Sequence, residues 1–238
     1  MRKTVVGNPY QTLVNYDGLY ESPKDEHGNY QGPLVAYAGK DPDGKNYVGF
    51  SYFNVAQVEQ FPESRDYFTS LLAEKIKFQF DFPCHLIAAP MGGLTFCIST
   101  ADRLNYRSSF FEKKVTTVAD PEYGVKEESG LVYNRHTIFQ GEKIILFEDL
   151  CNNFSTTQKM VNLMRSKGGD VVAIACVVNR SSKTSFNGIP VVSIIHIPTP
   201  EYSQNDIAVA DLVQEGKVIW KPKSEWPLLR EAMKNNKA

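Results

Sequence analysis

The sequence predicts an α/β fold, with an open and mostly parallel sheet flanked by helices. Two stretches indicate it, because an apolar strand runs into a turn and then a helix at both Ile144–Phe147 and His85–Ala89. A third apolar run, Val171–Val178, is typical of a strand buried on both faces. Ligands of open α/β sheets bind at the carboxyl edge, so the turns after these strands are the candidate sites.

Composition, charge and cysteine spacing narrow the class of protein. The chain has 238 residues, of which 42% are hydrophobic and 22% charged, as in globular proteins with one large domain or a domain and a subdomain. A net charge of −1 gives no reason to expect a nucleic-acid or membrane partner. The N-terminal stretch lacks the apolar core of a signal peptide, and no apolar run could span a bilayer. The four cysteines lack metal-type spacing, so we expect a cytoplasmic protein with reduced core cysteines.

Residues 1–62 differ from the rest because they are rich in Gly, Pro, Asn and Tyr. Two β-like runs, Gly32–Ala38 and Asn46–Asn54, flank a Pro42-Asp43-Gly44 turn, and this pattern predicts a β-hairpin. The strand pair could extend the edge of the main sheet.

Apolar periodicity predicts the remaining elements. Apolar residues three to four positions apart indicate a helix over Ser64–Phe80, which Pro83 ends. A Gly pair at Gly168-Gly169 ends the helix that follows Ile144–Phe147. The other expected elements are a helix over Leu94–Asn105, strands over Arg107–Val115, Leu131–Arg135 and Val191–Ile197, and short helices over Asn205–Gln214 and Trp226–Met233.

The stretch from Lys143 to Val161 contains the clearest set of candidate ligand groups. Its strand ends in two adjacent carboxylates, Glu148 and Asp149, and a polar turn over Cys151–Thr157 precedes the helix. The free N–H groups of a helix N-terminus, together with small hydroxyl side chains, suit a phosphate.

This stretch resembles the ribose-5-phosphate loop of type I phosphoribosyltransferases, most closely that of orotate phosphoribosyltransferases. In that family an apolar strand leads into two acidic residues, two further residues, Thr-Thr-Gly, and another Ser or Thr. Glu148 and Asp149 match the acidic pair, and Ser155 and Thr156 match the late hydroxyls. The Thr-Thr-Gly positions are occupied by other residues, namely Asn152, Asn153 and Phe154.

The resemblance implies the type I phosphoribosyltransferase fold. Residues 1–62 would form a small β-rich hood, residues 63–200 the core domain, and residues 201–238 a helical tail on the core or hood. It also implies transfer of ribose 5-phosphate from phosphoribosyl pyrophosphate to a nitrogen base, orotate or a similar acidic base, with release of pyrophosphate. A homodimer is expected by the same analogy.

Site residues also follow from the resemblance. Glu148 and Asp149 would hold the ribose hydroxyls. Mg²⁺ would be carried by the pyrophosphate near these two residues, and no direct protein ligand for the ion is predicted. The 5-phosphate would bind the turn formed by Asn152, Asn153, Phe154, Ser155 and Thr156. The pyrophosphate would bind Met91, Gly92, Gly93 and Lys113. For the glycines the alternative is a plain tight turn, and for Lys113 it is an exposed charged strand end.

Two further groups complete the expected site. The loop over 116–130 is polar and of a length typical of lids or disordered segments. In the family this loop closes over the reacting centre. The resemblance therefore implies a catalytic role for Lys126, as it does for Asp149. Arg180 would bind the carboxylate of orotate, because a planar guanidinium suits a carboxylate. The alternative for Arg180 is an exposed surface arginine.

The sequence leaves two other functions open. One is a relative that binds phosphoribosyl pyrophosphate or a nucleotide as a sensor without turnover, because the phosphate turn is altered and the loop over 116–130 has no His. The other is an unrelated nucleotide-binding α/β protein in which the acidic pair is accidental.

Overall fold

The computed structural model describes residues 3–117 and 128–235. These residues divide into two compact units, one containing Met1–Phe61 and Pro198–Ala238 and the other containing Pro62–Ile197. The N-terminal and C-terminal segments of the chain therefore belong to the same unit.

Thirteen strands and seven helices occur within the described residues. The strands are β1 (Leu19–Glu21), β2 (Leu34–Lys40), β3 (Asn46–Gly49), β4 (Ser51–Phe53), β5 (His85–Ala88), β6 (Ser108–Phe110), β7 (Glu112–Thr117), β8 (Glu128–Val132), β9 (Lys143–Cys151), β10 (Asp170–Asn179), β11 (Ser185–Phe186), β12 (Ile189–His196) and β13 (Val218–Ile219). The helices are α1 (Pro9–Asn15), α2 (Ala56–Glu59), α3 (Pro62–Gln79), α4 (Leu94–Leu104), α5 (Ser155–Ser166), α6 (Ala210–Gln214) and α7 (Trp226–Asn235).

A six-stranded sheet forms the centre of the unit Pro62–Ile197, with the order β11-β12-β10-β9-β5-β6. All its pairings are parallel except that of β11 with β12. Counted along the chain, its five parallel strands have the doubly wound order 2-1-3-4-5, whose switch point lies between the first and third strands. The predicted α/β fold is confirmed, and β5 and β9 flank the switch point.

The central strands form because their sequences are almost continuously apolar. In β10, nearly every residue from Val171 to Asn179 is buried, as expected for a parallel strand covered on both faces. One face packs against α5, whose Met160, Val161 and Met164 lie in a core cluster with Leu146 of β9. This packing holds the end of β9 and the start of α5 in a fixed relation.

The unit containing both chain ends has its own small sheet. The predicted hairpin is present as antiparallel β2 and β3, and β13 from the C-terminal segment adds parallel to β2. These strands form a separate three-stranded sheet, so the placement of the strand pair on the edge of the main sheet is wrong. Trp226 and Leu229 of α7 pack with Val35 of β2 in a core cluster of this unit.

Several predicted boundaries differ from the structure. The strand predicted over Arg107–Val115 is two strands, β6 and β7, separated at the fully buried Phe111. The loop predicted over 116–130 is shorter, because β7 extends to Thr117 and pairs with β8 from Glu128 onward. The helix predicted over Asn205–Gln214 is limited to α6, since Asp206 starts a turn and accepts a hydrogen bond from the Ala208 N–H at 2.9 Å.

Within the described residues, no helix is both long and apolar enough to cross a membrane.

A buried hydrogen-bond chain joins β5, β6 and the segment after β8. Ser109 Oγ lies 2.7 Å from His85 Nε2 and 2.7 Å from the Tyr133 hydroxyl. On its other side, His85 Nδ1 lies 3.3 Å from Glu142, which also pairs with Arg107. Burial lowers the pKa of His85, so the imidazole is held neutral and can share hydrogen bonds with the serine hydroxyl.

Replacing the central hydroxyl of this chain should destabilise the protein. We expect Ser109→Ala to lower the free energy of unfolding by about 1–3 kcal/mol, because His85 and Tyr133 each lose a buried partner. Urea unfolding measures the change. Ser108→Ala is the control, because Ser108 precedes Ser109 in β6 and is only partly buried. Equal effects of the two substitutions would show that the chain adds nothing to stability.

Candidate functional site

The turn after β5 lies directly against the end of β9. A Cβ built on Gly93 would lie 2.5 Å from the carbonyl oxygen of Phe147, and one on Gly92 would lie 2.5 Å from Cγ of Asp149. The Ala89 N–H donates to the same Phe147 carbonyl at 2.8 Å. The glycines are therefore required for close approach and not for a left-handed backbone, since neither has a positive φ.

The acidic pair lies within β9 and not after it, because the strand continues to Cys151. Both Glu148 and Asp149 are partly buried. Burial and, to a smaller extent, the nearby Asp149 carboxylate raise the pKa of Glu148 to about 8, although the charge of Lys113 opposes the shift. Glu148 is thus largely protonated at neutral pH in the free protein.

Lys113 belongs to this group although it lies on another element. It is on β7, opposite Leu131 of β8, and its side chain is exposed, as the alternative of a charged strand end expects. Its charge nevertheless acts on the Glu148 carboxyl and lowers the pKa of that group. The structure therefore brings together Gly92, Gly93 and Asp149 by contact, with Glu148 beside Asp149 on β9 and Lys113 linked to Glu148 by its charge.

The expected phosphate turn forms the start of α5. The helix begins at Ser155, two residues before the predicted end of the polar turn at Thr157. The Ser155 N–H donates to Asn153 Oδ1 at 3.1 Å, and the side chains of Asn153, Ser155 and Thr156 are exposed. Because N–H groups in the first turn of a helix have no intrahelical acceptor, this end of α5 is suited to an anion.

Phe154 takes an unusual backbone conformation at the N-cap of α5. Its φ is 59° and its ψ 17°, in the left-handed region that favours glycine. The residue is only 4% exposed, and its ring stacks on Phe186, with centroids 4.9 Å apart and an angle of 14° between the planes. The ring therefore points into the core, and the exposed face of the turn is free of its bulk.

Arg180 follows the last residue of β10. It is only 5% exposed, so the alternative of an exposed surface arginine is wrong. Its backbone N–H donates to the carbonyl of Cys151 at 2.9 Å, which places it beside the end of β9. Met91, by contrast, is 74% exposed in the turn before the glycine pair.

Lys126 lies outside the described residues, so its expected role stays a prediction. Across 3–117 and 128–235, no group of three or more His, Cys, Asp or Glu side chains is placed to hold a metal ion.

Sequence reasoning missed Phe186 and Asn187. Asn187 and Gly188 connect β11 and β12, with φ of 50° and 79°, the signs that a type I′ hairpin turn requires. Asn187 Nδ2 also donates to Gln158 Oε1 of α5 at 2.8 Å. The Asn-Gly pair was the available signal, whereas no local pattern predicts the stacking of two rings far apart in sequence.

The sheet order and the loops at its switch point define a doubly wound α/β protein with a candidate ligand site at the carboxyl edge. Residues 54–211 match the phosphoribosyl transferase domain family, and the chain belongs to that family.

Individual relatives agree with this assignment. The chain is 25% identical to the orotate phosphoribosyltransferase of Caldanaerobacter subterraneus subsp. tengcongensis over 195 residues, which cover 82% of this chain and 90% of that protein. It is 26% identical to the orotate phosphoribosyltransferase of Thermotoga maritima over 175 residues, covering 73% and 83%.

Solved structures agree on the fold. The orotate phosphoribosyltransferase from Aeropyrum pernix superposes with a TM-score of 0.56 at 14% identity, covering 78% of this chain and 92% of that one. The adenine phosphoribosyltransferase from Thermoanaerobacter pseudethanolicus superposes with a TM-score of 0.52 at 19% identity, covering 68% and 95%.

Adding a single methyl group at the glycine pair should disturb the site. We expect Gly93→Ala to destabilise the protein by about 2 kcal/mol or more, because a backbone carbonyl cannot move aside as a side chain can. Gly92→Ala should cost less, since its Cβ meets the Asp149 side chain. Thermal unfolding measures both, with Gly39→Ala as the control because its nearest neighbour is the Tyr47 side chain at 3.3 Å. A Gly93→Ala protein as stable as the control would contradict the close approach.

Glu148 should make stability depend on pH. The folded protein holds its proton up to about pH 8, whereas the unfolded chain loses it near the ordinary value of 4.5. The free energy of unfolding should therefore fall as pH rises through this window, by up to about 1.4 kcal/mol per pH unit. Urea titrations between pH 5 and 8.5 should show this slope in the native protein and a smaller one in Glu148→Gln. The exposed Glu74→Gln is the control, and an unchanged slope in Glu148→Gln would rule out the shift.

Proposed function

We propose that this chain is a phosphoribosyltransferase of the orotate type. It transfers the ribose 5-phosphate of phosphoribosyl pyrophosphate to orotate or a similar acidic base and releases pyrophosphate. The contact of Gly92 and Gly93 with the end of β9 carries the proposal, because it brings the turn after β5 to the acidic pair at the switch point of a phosphoribosyl transferase domain. The names of the relatives support orotate as the base.

Each group at the edge has a role that fits its chemistry. Asp149, with Glu148, holds the ribose hydroxyls, because carboxyl groups at the end of β9 can accept hydrogen bonds from a diol. The exposed turn before and within the start of α5 binds the 5-phosphate through N–H groups and hydroxyls. The residues of this turn are Asn152, Asn153, Phe154, Ser155 and Thr156.

The pyrophosphate binds beside the acidic pair. The turn of Met91, Gly92 and Gly93 lets the backbone approach its oxygens closely, and the ammonium group of Lys113 adds a positive charge. Positioning and charge stabilisation of this kind are what the reaction requires, since negative charge grows on the departing pyrophosphate. Lys126 adds a further cation to this proposal.

The donor groups of the site fit a Mg²⁺ ion that arrives with the substrate. Mg²⁺ is usually held by one or two carboxylates together with substrate phosphates and water, and Asp149, whose side chain lies against the Gly92 turn, would supply a carboxylate here. Bound in this way the ion would neutralise the pyrophosphate.

Arg180 is proposed to bind the carboxylate of the acidic base. It lies beside the end of β9 and is largely withdrawn from water, where a guanidinium–carboxylate pair is stronger than at the surface. We also propose the homodimer expected for the family, which sedimentation of the purified chain can test.

The activity is tested by titrating the protein with phosphoribosyl pyrophosphate and Mg²⁺, then adding orotate and following pyrophosphate release. We expect binding and release. Arg180→Ala should raise KM for orotate by about tenfold to a hundredfold, because one charge-assisted contact is lost. Arg180→Lys should recover little, since lysine cannot bind a carboxylate with two parallel hydrogen bonds.

Arg103→Ala is the matched control, because Arg103 pairs with Asp66 near the far end of α4 and leaves the edge of the sheet unchanged. If phosphoribosyl pyrophosphate binds but no base in a panel leads to pyrophosphate release, the protein is a sensor and not an enzyme. If phosphoribosyl pyrophosphate does not bind at all, the chain shares the fold of the family but not the proposed activity.

A further inference from the structure

We propose that Phe186 is a positioning residue for the 5-phosphate turn. Its ring holds Phe154 in the left-handed backbone conformation from which α5 starts. The inference rests on the proposed function, because it assigns a role within the proposed 5-phosphate site.

The backbone at Phe154 needs outside support. With φ of 59°, a residue that has a Cβ meets a steric penalty that glycine does not. Such a conformation persists only where surrounding contacts determine it. Phe154 belongs to the core cluster of the central sheet, and within that cluster its ring stacks nearly parallel on the ring of Phe186, at 4.9 Å and 14°.

Phe186 is itself fixed by the hairpin that contains it. It pairs with Ile189 across the β11–β12 turn, and the positive φ values of Asn187 and Gly188 suit that turn. The hydrogen bond from Asn187 to Gln158 joins the tip of the same hairpin to the second turn of α5. Two contacts, one apolar and one polar, thus hold the hairpin against the start of the helix.

The consequence is selective for one part of the substrate. The stacked rings support the turn that would bind the 5-phosphate, whereas the proposed pyrophosphate site is formed by the glycine pair and Lys113. Loss of the Phe186 ring should therefore weaken binding of ribose 5-phosphate and leave binding of pyrophosphate unchanged. A general loss of structure would weaken both.

The test compares the affinities of ribose 5-phosphate and pyrophosphate, measured by calorimetry for each folded variant. We expect Phe186→Ala to weaken ribose 5-phosphate binding about tenfold, because the strained turn loses its support. Phe186→Tyr keeps the ring and should keep the affinity. Combining Phe186→Ala with Phe154→Gly should restore most of it, since glycine takes this conformation without help.

Phe68→Leu is the control for a general loss of packing, because Phe68 is fully buried on α3 and takes no part in the proposed site. If Phe186→Ala does not fold, Phe186→Leu replaces it, and the same loss relative to Phe186→Tyr is expected. Unchanged ribose 5-phosphate affinity in the folded variant, or equal weakening of both ligands, overturns the role of Phe186. Failure of the native protein to bind ribose 5-phosphate and phosphoribosyl pyrophosphate overturns the proposed function, and this inference with it.

Discussion

The packing of the glycine turn on the end of β9 is the constraint on which the proposed site depends. Sheet order makes β5 and β9 neighbours, but only the absence of side chains at Gly92 and Gly93 lets the turn touch the Phe147 carbonyl and the Asp149 side chain. A larger residue at Gly93 would meet the Phe147 backbone and push the turn away from β9, so the acidic pair would lose its boundary on that side. Close packing at the glycine turn therefore defines this side of the site.

The start of α5 meets a second constraint by a different route. The chain places phenylalanine where the backbone is left-handed, and places the ring where burial and stacking on Phe186 can offset the steric cost. A glycine would need no such support, but would contribute nothing to the core. The altered sequence of the turn is thus compatible with an open, anion-accessible helix start, because the large side chain lies on the inner side.

How much the sequence predicts depends on whether the determinant is local. Val171–Val178 and Ile144–Phe147 were predicted as strands because burial on both faces leaves a continuous apolar run. The continuation of β9 through Glu148 and Asp149 was not, since polar residues at the end of a strand look like a turn. The burial of Arg180 and the pairing of Phe154 with Phe186 arise from contacts between distant segments, which no local pattern records.

The charge of the acidic pair at the carboxyl edge of the central sheet also follows from packing. Ionising two adjacent carboxyl groups in a partly buried strand costs free energy. Burial is the larger reason that Glu148 keeps its proton. A protonated Glu148 lowers the negative charge that an approaching phosphate meets, so the positive Lys113 and the N-terminus of α5 have more influence there. A neutral carboxyl can also donate a hydrogen bond, which a carboxylate cannot. The protonation of Glu148 therefore reduces the repulsion that an anionic ligand meets at this end of β9.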